Sequence, residues 1–162
     1  MQDFNPFGQV DSKPEYGSPL SVAIAGRDHE TLRMVRRAVE TGQVMLAYQP
    51  IVRACNPERP AFYEGLLRVL DHTGRIIPAA DFMDVVEAKE LGRQMDTWAL
   101  DLGFRALADN PELRLAINMS ARSIGYSRWV KLLHAGLDER PTIAERLIIE
   151  ITESSTIAMP DV

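Results

Sequence analysis

Tyr63-Glu64-Gly65-Leu66-Leu67-Arg68-Val69 is the stretch on which the fold turns. Phe62, Leu66, Leu67, Val69 and Leu70 are apolar or aromatic, so residues 61–70 read as a buried strand. Such a strand has no packing use for a carboxylate and a guanidinium four residues apart. Glu64 and Arg68 therefore ask for a chemical explanation.

Upstream, Val44-Met45-Leu46-Ala47-Tyr48-Gln49-Pro50 predicts another strand, ended by the proline, and a loop with Asn56, Pro57 and Pro60 joins the two. Before it, Asp28 is placed to cap a helix whose apolar stripe is Leu32, Val35, Ala38 and Val39, with Gly42 as its stop. Residues 1 to about 19 are rich in Pro, Gly, Ser, Asp and Asn without a period, and residues 1–27 are taken as an arm or linker. Downstream, Asp71-His72-Thr73-Gly74 is a turn. A helix is expected from Pro78 to Leu91-Gly92, and a second from about Arg93 to Asp109 on the stripe Met95, Trp98, Ala99, Leu102 and Ala106. Residues 113–119 read as a strand, Trp129, Leu132, Leu133 and Leu137 mark a helix, and residues 146–152 form a last strand. Strands alternating with helices predict an α/β protein with a largely parallel sheet.

Bulk properties narrow the function. In 162 residues, 46% are hydrophobic and 25% charged, which fits one globular domain. The net charge of −5 supplies no field for a nucleic-acid polymer or an anionic membrane. Cys55 is the single cysteine, so no internal disulfide or cysteine-rich zinc site is possible, and a reducing cytoplasm fits. Nowhere do 18 apolar residues run together, so no membrane span is expected. His29, His72 and His134 have no second ligand at a convincing spacing.

In parallel α/β folds the ligand sits at the carboxyl ends of the strands. The polar residues there are Gln49; Glu64 and Arg68; Asn118 and Ser120; and Glu150, Thr152 and Glu153. Each has an ordinary structural reading: Gln49 serving loop backbone, Asn118 capping a turn, the glutamates lying at solvated ends, Arg68 pairing with one of them. Together, Glu64, Asn118 and Glu150 offer two carboxylates and an amide, hard oxygen donors that suit Mg²⁺ or Mn²⁺. An arginine beside them is a natural fork for a phosphate.

The motifs Tyr48-Gln49-Pro50-Ile51-Val52, Glu64-Gly65-Leu66-Leu67-Arg68, Asn118-Met119-Ser120 and Glu150-Ile151-Thr152-Glu153-Ser154 resemble, in order, those of the EAL domain, a family of bacterial cyclic di-GMP phosphodiesterases. Ile77-Pro78-Ala79-Ala80-Asp81-Phe82 and Met95-Asp96-Thr97-Trp98 resemble its helical region. The resemblance implies a TIM-like (β/α) barrel with its first strand antiparallel, of which residues 28–162 would form the N-terminal part, about four strands. It implies that Glu64, Asn118 and Glu150 bind Mg²⁺ or Mn²⁺, with Glu64 catalytic. Arg68 would contact a phosphate, Gln49 would hold the dinucleotide and Leu66 would line the pocket. The implied reaction is metal-assisted hydrolysis of cyclic di-GMP to linear pGpG, with the cation acidifying the attacking water.

Two departures matter. Gly65 stands where the family usually has alanine, a small change that should preserve the site geometry. The chain also ends before the family's Asp-Asp loop and catalytic lysine, so weak or no activity is expected from it alone. Non-catalytic cyclic di-GMP binding, or an interaction module completed by a partner or swapped copy, is the alternative. An unclosed sheet edge predicts self-association, a dimer or larger.

Overall fold

The computed structural model describes residues 18–152. Most of the proposed arm, together with Glu153 and Ser154, lies outside them. The elements run α1 (Pro19–Glu40), β1 (Val44–Arg53), β2 (Asn56–Leu70), β3 (Ile76–Ile77), α2 (Met83–Val86), α3 (Glu90–Asp109), β4 (Leu115–Ser120), α4 (Ser127–Glu139) and β5 (Leu147–Thr152). The sheet order is β1-β2-β4-β5, with the two-residue β3 added to β2. β1 is antiparallel to β2, whereas β2, β4 and β5 are mutually parallel. This is the mixed α/β arrangement expected of an incomplete barrel, with the sheet unclosed among the described residues.

Several boundaries differ from the sequence reading, each for a physical reason. Helix α1 begins at Pro19, so Asp28 lies inside it and is not its cap. Proline is well suited to a first helical position, because the N–H it lacks would have no partner there. Strand β1 runs through Pro50, which pairs with Tyr63. It is an edge strand, where a missing N–H is tolerated. The expected loop of Asn56, Pro57 and Pro60 is the start of β2, and the chain turns at Ala54–Cys55 between two long arms. Leu91-Gly92 opens α3 instead of closing the preceding helix. A Cβ at Gly92 would stand 2.9 Å from the carbonyl oxygens of Val86 and Glu87, so the absence of a side chain lets α3 start tight against α2.

Alternation along the strands separates two faces. Leu46, Tyr63, Leu67, Leu115, Ile117, Met119, Leu147 and Ile149 pack with Leu100, Phe104 and Leu107 of α3 and Trp129 of α4. Further along the same face, a second cluster joins Val35, Ala38 and Val39 of α1 to Val44, Val69, Phe82, Val86 and Met95. Arg146 closes the far end of α3: its guanidinium donates to the carbonyls of Leu107, Asn110 and Leu113 at 3.0–3.1 Å. No described helix is long and apolar enough to cross a membrane.

Candidate active site

The strand register brings the polar strand residues to the face opposite α3 and α4. Gln49 is paired with Glu64 across β1 and β2, Glu64 with Ala116 across β2 and β4, and Asn118 with Glu150 across β4 and β5. Because side chains alternate, Gln49, Glu64, Leu66, Arg68, Asn118 and Glu150 all lie on that one face. One direct contact links residues 54 apart in sequence: Asn118 Nδ2 donates to Glu64 Oε1 at 2.5 Å. The bond fixes one edge of the Glu64 carboxylate and leaves the Asn118 amide oxygen for another partner.

A gap in the sheet makes the cavity beside these residues. β2 and β4 stay paired over only three residues, Tyr63 to Gly65 opposite Leu115 to Ile117, and then part. β3 rejoins β2 at Val69 and Leu70. Between the two pairings, Leu66, Leu67 and Arg68 face Asn118, Met119 and Ser120 across a cavity of about 300 Å³, closed on the helix side by Phe82, Met95 and Asp96. The Arg68 guanidinium bonds back to Leu67 O at 3.1 Å and forms no ion pair among the described residues, so its charge is not neutralised by Glu64 or Glu150. Of the six sequence-predicted residues, Leu66, Arg68 and Asn118 line this cavity; Gln49, Glu64 and Glu150 lie on the adjoining sheet face.

Asp96 was not among the predicted site residues, yet it lines the same cavity. Its Oδ2 accepts from Ser120 N at 3.1 Å and from Ser123 Oγ at 2.5 Å. Burial pushes its carboxyl above the usual carboxylate range, the two hydrogen bonds opposing that shift. The partners lie 24 and 27 residues away, so no local spacing could have revealed it.

The donor set fits a hard divalent cation in kind: two carboxylates and an amide oxygen on one face, with no thiolate or imidazole among them. Among the described residues no group of three or more His, Cys, Asp and Glu gathers, so Glu64, Asn118 and Glu150 supply only part of a six-fold shell.

The EAL domain family model matches residues 32–161. An uncharacterized signaling protein of Caulobacter vibrioides is 32% identical over 127 residues, 76% of this chain and 15% of the relative. The cyclic di-GMP phosphodiesterase NbdA of Pseudomonas aeruginosa is 29% identical over 126 residues, 75% of this chain and 16% of the relative. The crystal structure of the Xanthomonas citri FimX EAL domain in complex with c-diGMP superposes with a TM-score of 0.69 at 20% identity, covering 82% of this chain and 53% of that one. The chain thus spans about a sixth of the length of these curated relatives and about half of that solved domain. With its strand order, its antiparallel first strand and the match over residues 32–161, this chain belongs to the EAL domain family.

Proposed function

We propose that this chain forms part of a phosphodiesterase domain that hydrolyses cyclic di-GMP to linear pGpG. The observation that carries the reading is the single sheet face shared by Gln49, Glu64, Leu66, Arg68, Asn118 and Glu150, with Glu64 and Asn118 bonded directly. Glu64, Asn118 and Glu150 would hold Mg²⁺ or Mn²⁺. Such a cation, when bound, acidifies water and offsets charge on phosphoryl oxygens. Arg68, free of a carboxylate partner among the described residues, would bind a phosphate through its guanidinium fork. That contact gains strength as negative charge grows on the phosphoryl oxygens, so it favours the transition state over the bound substrate. Leu66 would shield the ligand from water on the cavity side, and Gln49 would hydrogen-bond the dinucleotide from β1. The Asn118 bond holds one oxygen of Glu64, and the other would be left for the cation.

Chromatography of cyclic di-GMP incubated with this chain and Mn²⁺ tests the reading against a Glu64→Ala control. Linear dinucleotide made only with Glu64 intact supports it, and product formed equally by the variant overturns it. A second reading has its own observation. The face carrying Glu64 and Glu150 has no helix packed on it among the described residues, and β5 is an edge strand there, its last described hydrophobic residue Ile151 half exposed on the other face. A partner or second copy would complete such a face, giving a cyclic di-GMP binding or interaction module. Ligand binding without turnover, together with a dimeric mass by light scattering, favours this second reading; a compact monomer counts against it.

A further inference from the structure

We propose that Asp96 is a positioning residue: by gripping the start of the loop after β4, it fixes the strand end that carries Asn118. Asp96 lies on α3, outside the strand motifs, and one of its oxygens holds two groups at once, the Ser120 backbone N–H and the Ser123 hydroxyl. Ser120 is the last residue of β4, two beyond Asn118. At this level β2 has already parted from β4, so among the described residues no strand is paired with β4 on that side. Asp96 supplies the acceptor that a neighbouring strand would otherwise give.

Retaining a carboxylate here is costly. Phe82, Met95, Ala99 and Met119 form the apolar part of the wall, Arg68 and Glu87 also line it, and burial, with the nearby Glu87 carboxylate, disfavours the charged form. An apolar residue would continue the stripe of α3 more cheaply, but it would leave the Ser120 N–H and the fully buried Ser123 hydroxyl without this acceptor. The far end of the loop has its own tether: Tyr126 Oη donates to Glu90 Oε1 at 2.6 Å, and Arg93 sits 5.7 Å from the Tyr126 ring centre. With that second tether intact, losing Asp96 frees the beginning of the loop and leaves its end attached to α3.

The test uses amide hydrogen exchange and cyclic di-GMP titration in Mn²⁺ on Asp96→Ala, Asp96→Asn and Ser123→Ala. Asp96→Ala is expected to lower protection of the Ser120 amide about tenfold or more, the scale of a hydrogen bond to a charged group, while the Ile117 amide is unchanged. Asp96→Asn restores protection, because its carboxamide oxygen can accept both bonds in place of Oδ2. Ser123→Ala, which keeps the acid and guards against failure of Asp96→Ala to fold, gives a smaller loss at Ser120. Affinity for cyclic di-GMP follows the same order, an arm that rests on the function proposed above. Failure of the unaltered chain to bind cyclic di-GMP defeats that function, and the exchange arm then decides the positioning role by itself. Unchanged Ser120 protection in Asp96→Ala and Ser123→Ala overturns the proposal. So does an Asp96→Asn variant as impaired as the alanine, since the charge and not the acceptor geometry would then be what matters.

Discussion

Replacing Gly65 with alanine tests how the strand beside Glu64 is packed. A Cβ at Gly65 would stand 2.8 Å from Ile117 Cδ1 and 3.3 Å from Leu115 Cδ1. Ordinary carbon contacts lie near 3.5–4.0 Å, so Ile117 would have to retreat by roughly 0.7 Å. Ile117 is fully buried and packs close over the bare backbone of Gly103, where even a Cβ would meet its Cγ1 and Cδ1 at 3.0 and 3.1 Å, so its retreat is opposed by the surrounding core. The isoleucine is held between a glycine on β2 and a glycine on α3. Overpacking of this kind costs about 1–3 kcal/mol, and the gain from replacing a strand glycine returns only about 0.5–1 kcal/mol. A net loss of about 1 kcal/mol is expected, or about 2–4 °C in Tm for a chain of this size. Ile117→Val alone should cost about 0.5–1.5 kcal/mol by leaving a small void. In the double variant the alanine methyl enters the space vacated by Cδ1, so the two losses do not add. Urea denaturation of the four proteins measures the coupling, expected at about 1 kcal/mol against the 0.3–0.5 kcal/mol scatter of independent sites. Additive losses, or a Gly65→Ala chain more stable than the original, would refute the packing argument.

Arg146→Ala should destabilise the fold by about 2–3 kcal/mol in urea denaturation, because the guanidinium ties together a carbonyl of the last turn of α3, that of its capping Asn110 and that of Leu113 before β4, and Arg146→Lys should recover only part of the loss. Asp71 accepts from the Thr73 hydroxyl and from the Thr73 and Arg75 backbone, which lowers its carboxyl from 3.8 to about 2. A depressed carboxyl stabilises above its unfolded value, so this contribution should fade as pH falls from 3.8 through about 2, and Asp71→Asn should flatten acid melting curves over that window. Asp96 has the opposite sign: its carboxyl is raised by burial, so the folded state binds the proton more tightly and stability falls as pH rises above 3.8. Denaturation at pH 4 and pH 7 should therefore show Asp96→Asn gaining on the parent at the higher pH, and an unchanged difference would contradict the assignment.

The residues differ in how openly the sequence announced them. Residues 115–120 and 147–152 were legible because buried parallel strands are continuous apolar runs, and a late polar residue such as Asn118 or Glu150 stands out against them. Helix α3 declared itself through Met95, Ala99, Leu102 and Ala106. Residues 44–50 and 61–70 were legible as strands, but the outer part of the β1–β2 ribbon was not: its prolines imitate a loop, and the edge position of β1 makes Pro50 acceptable. β3 is two residues long, too short for any period. The cavity depends on where β2 and β4 separate, a property of two strands some 50 residues apart in the chain and of neither one alone. Asp96 was hidden for the same reason, as a polar residue beside an apolar stripe whose partners come from another element.

The most direct measurement is calorimetric titration of cyclic di-GMP into the chain in Mn²⁺, repeated with Arg68→Ala and after removal of the metal by chelation. Saturable binding that weakens about tenfold or more in Arg68→Ala, the worth of a charge-assisted phosphate contact, and that falls again without metal is the predicted result. Binding of equal strength in all three conditions would contradict the claim that this sheet face forms the ligand site.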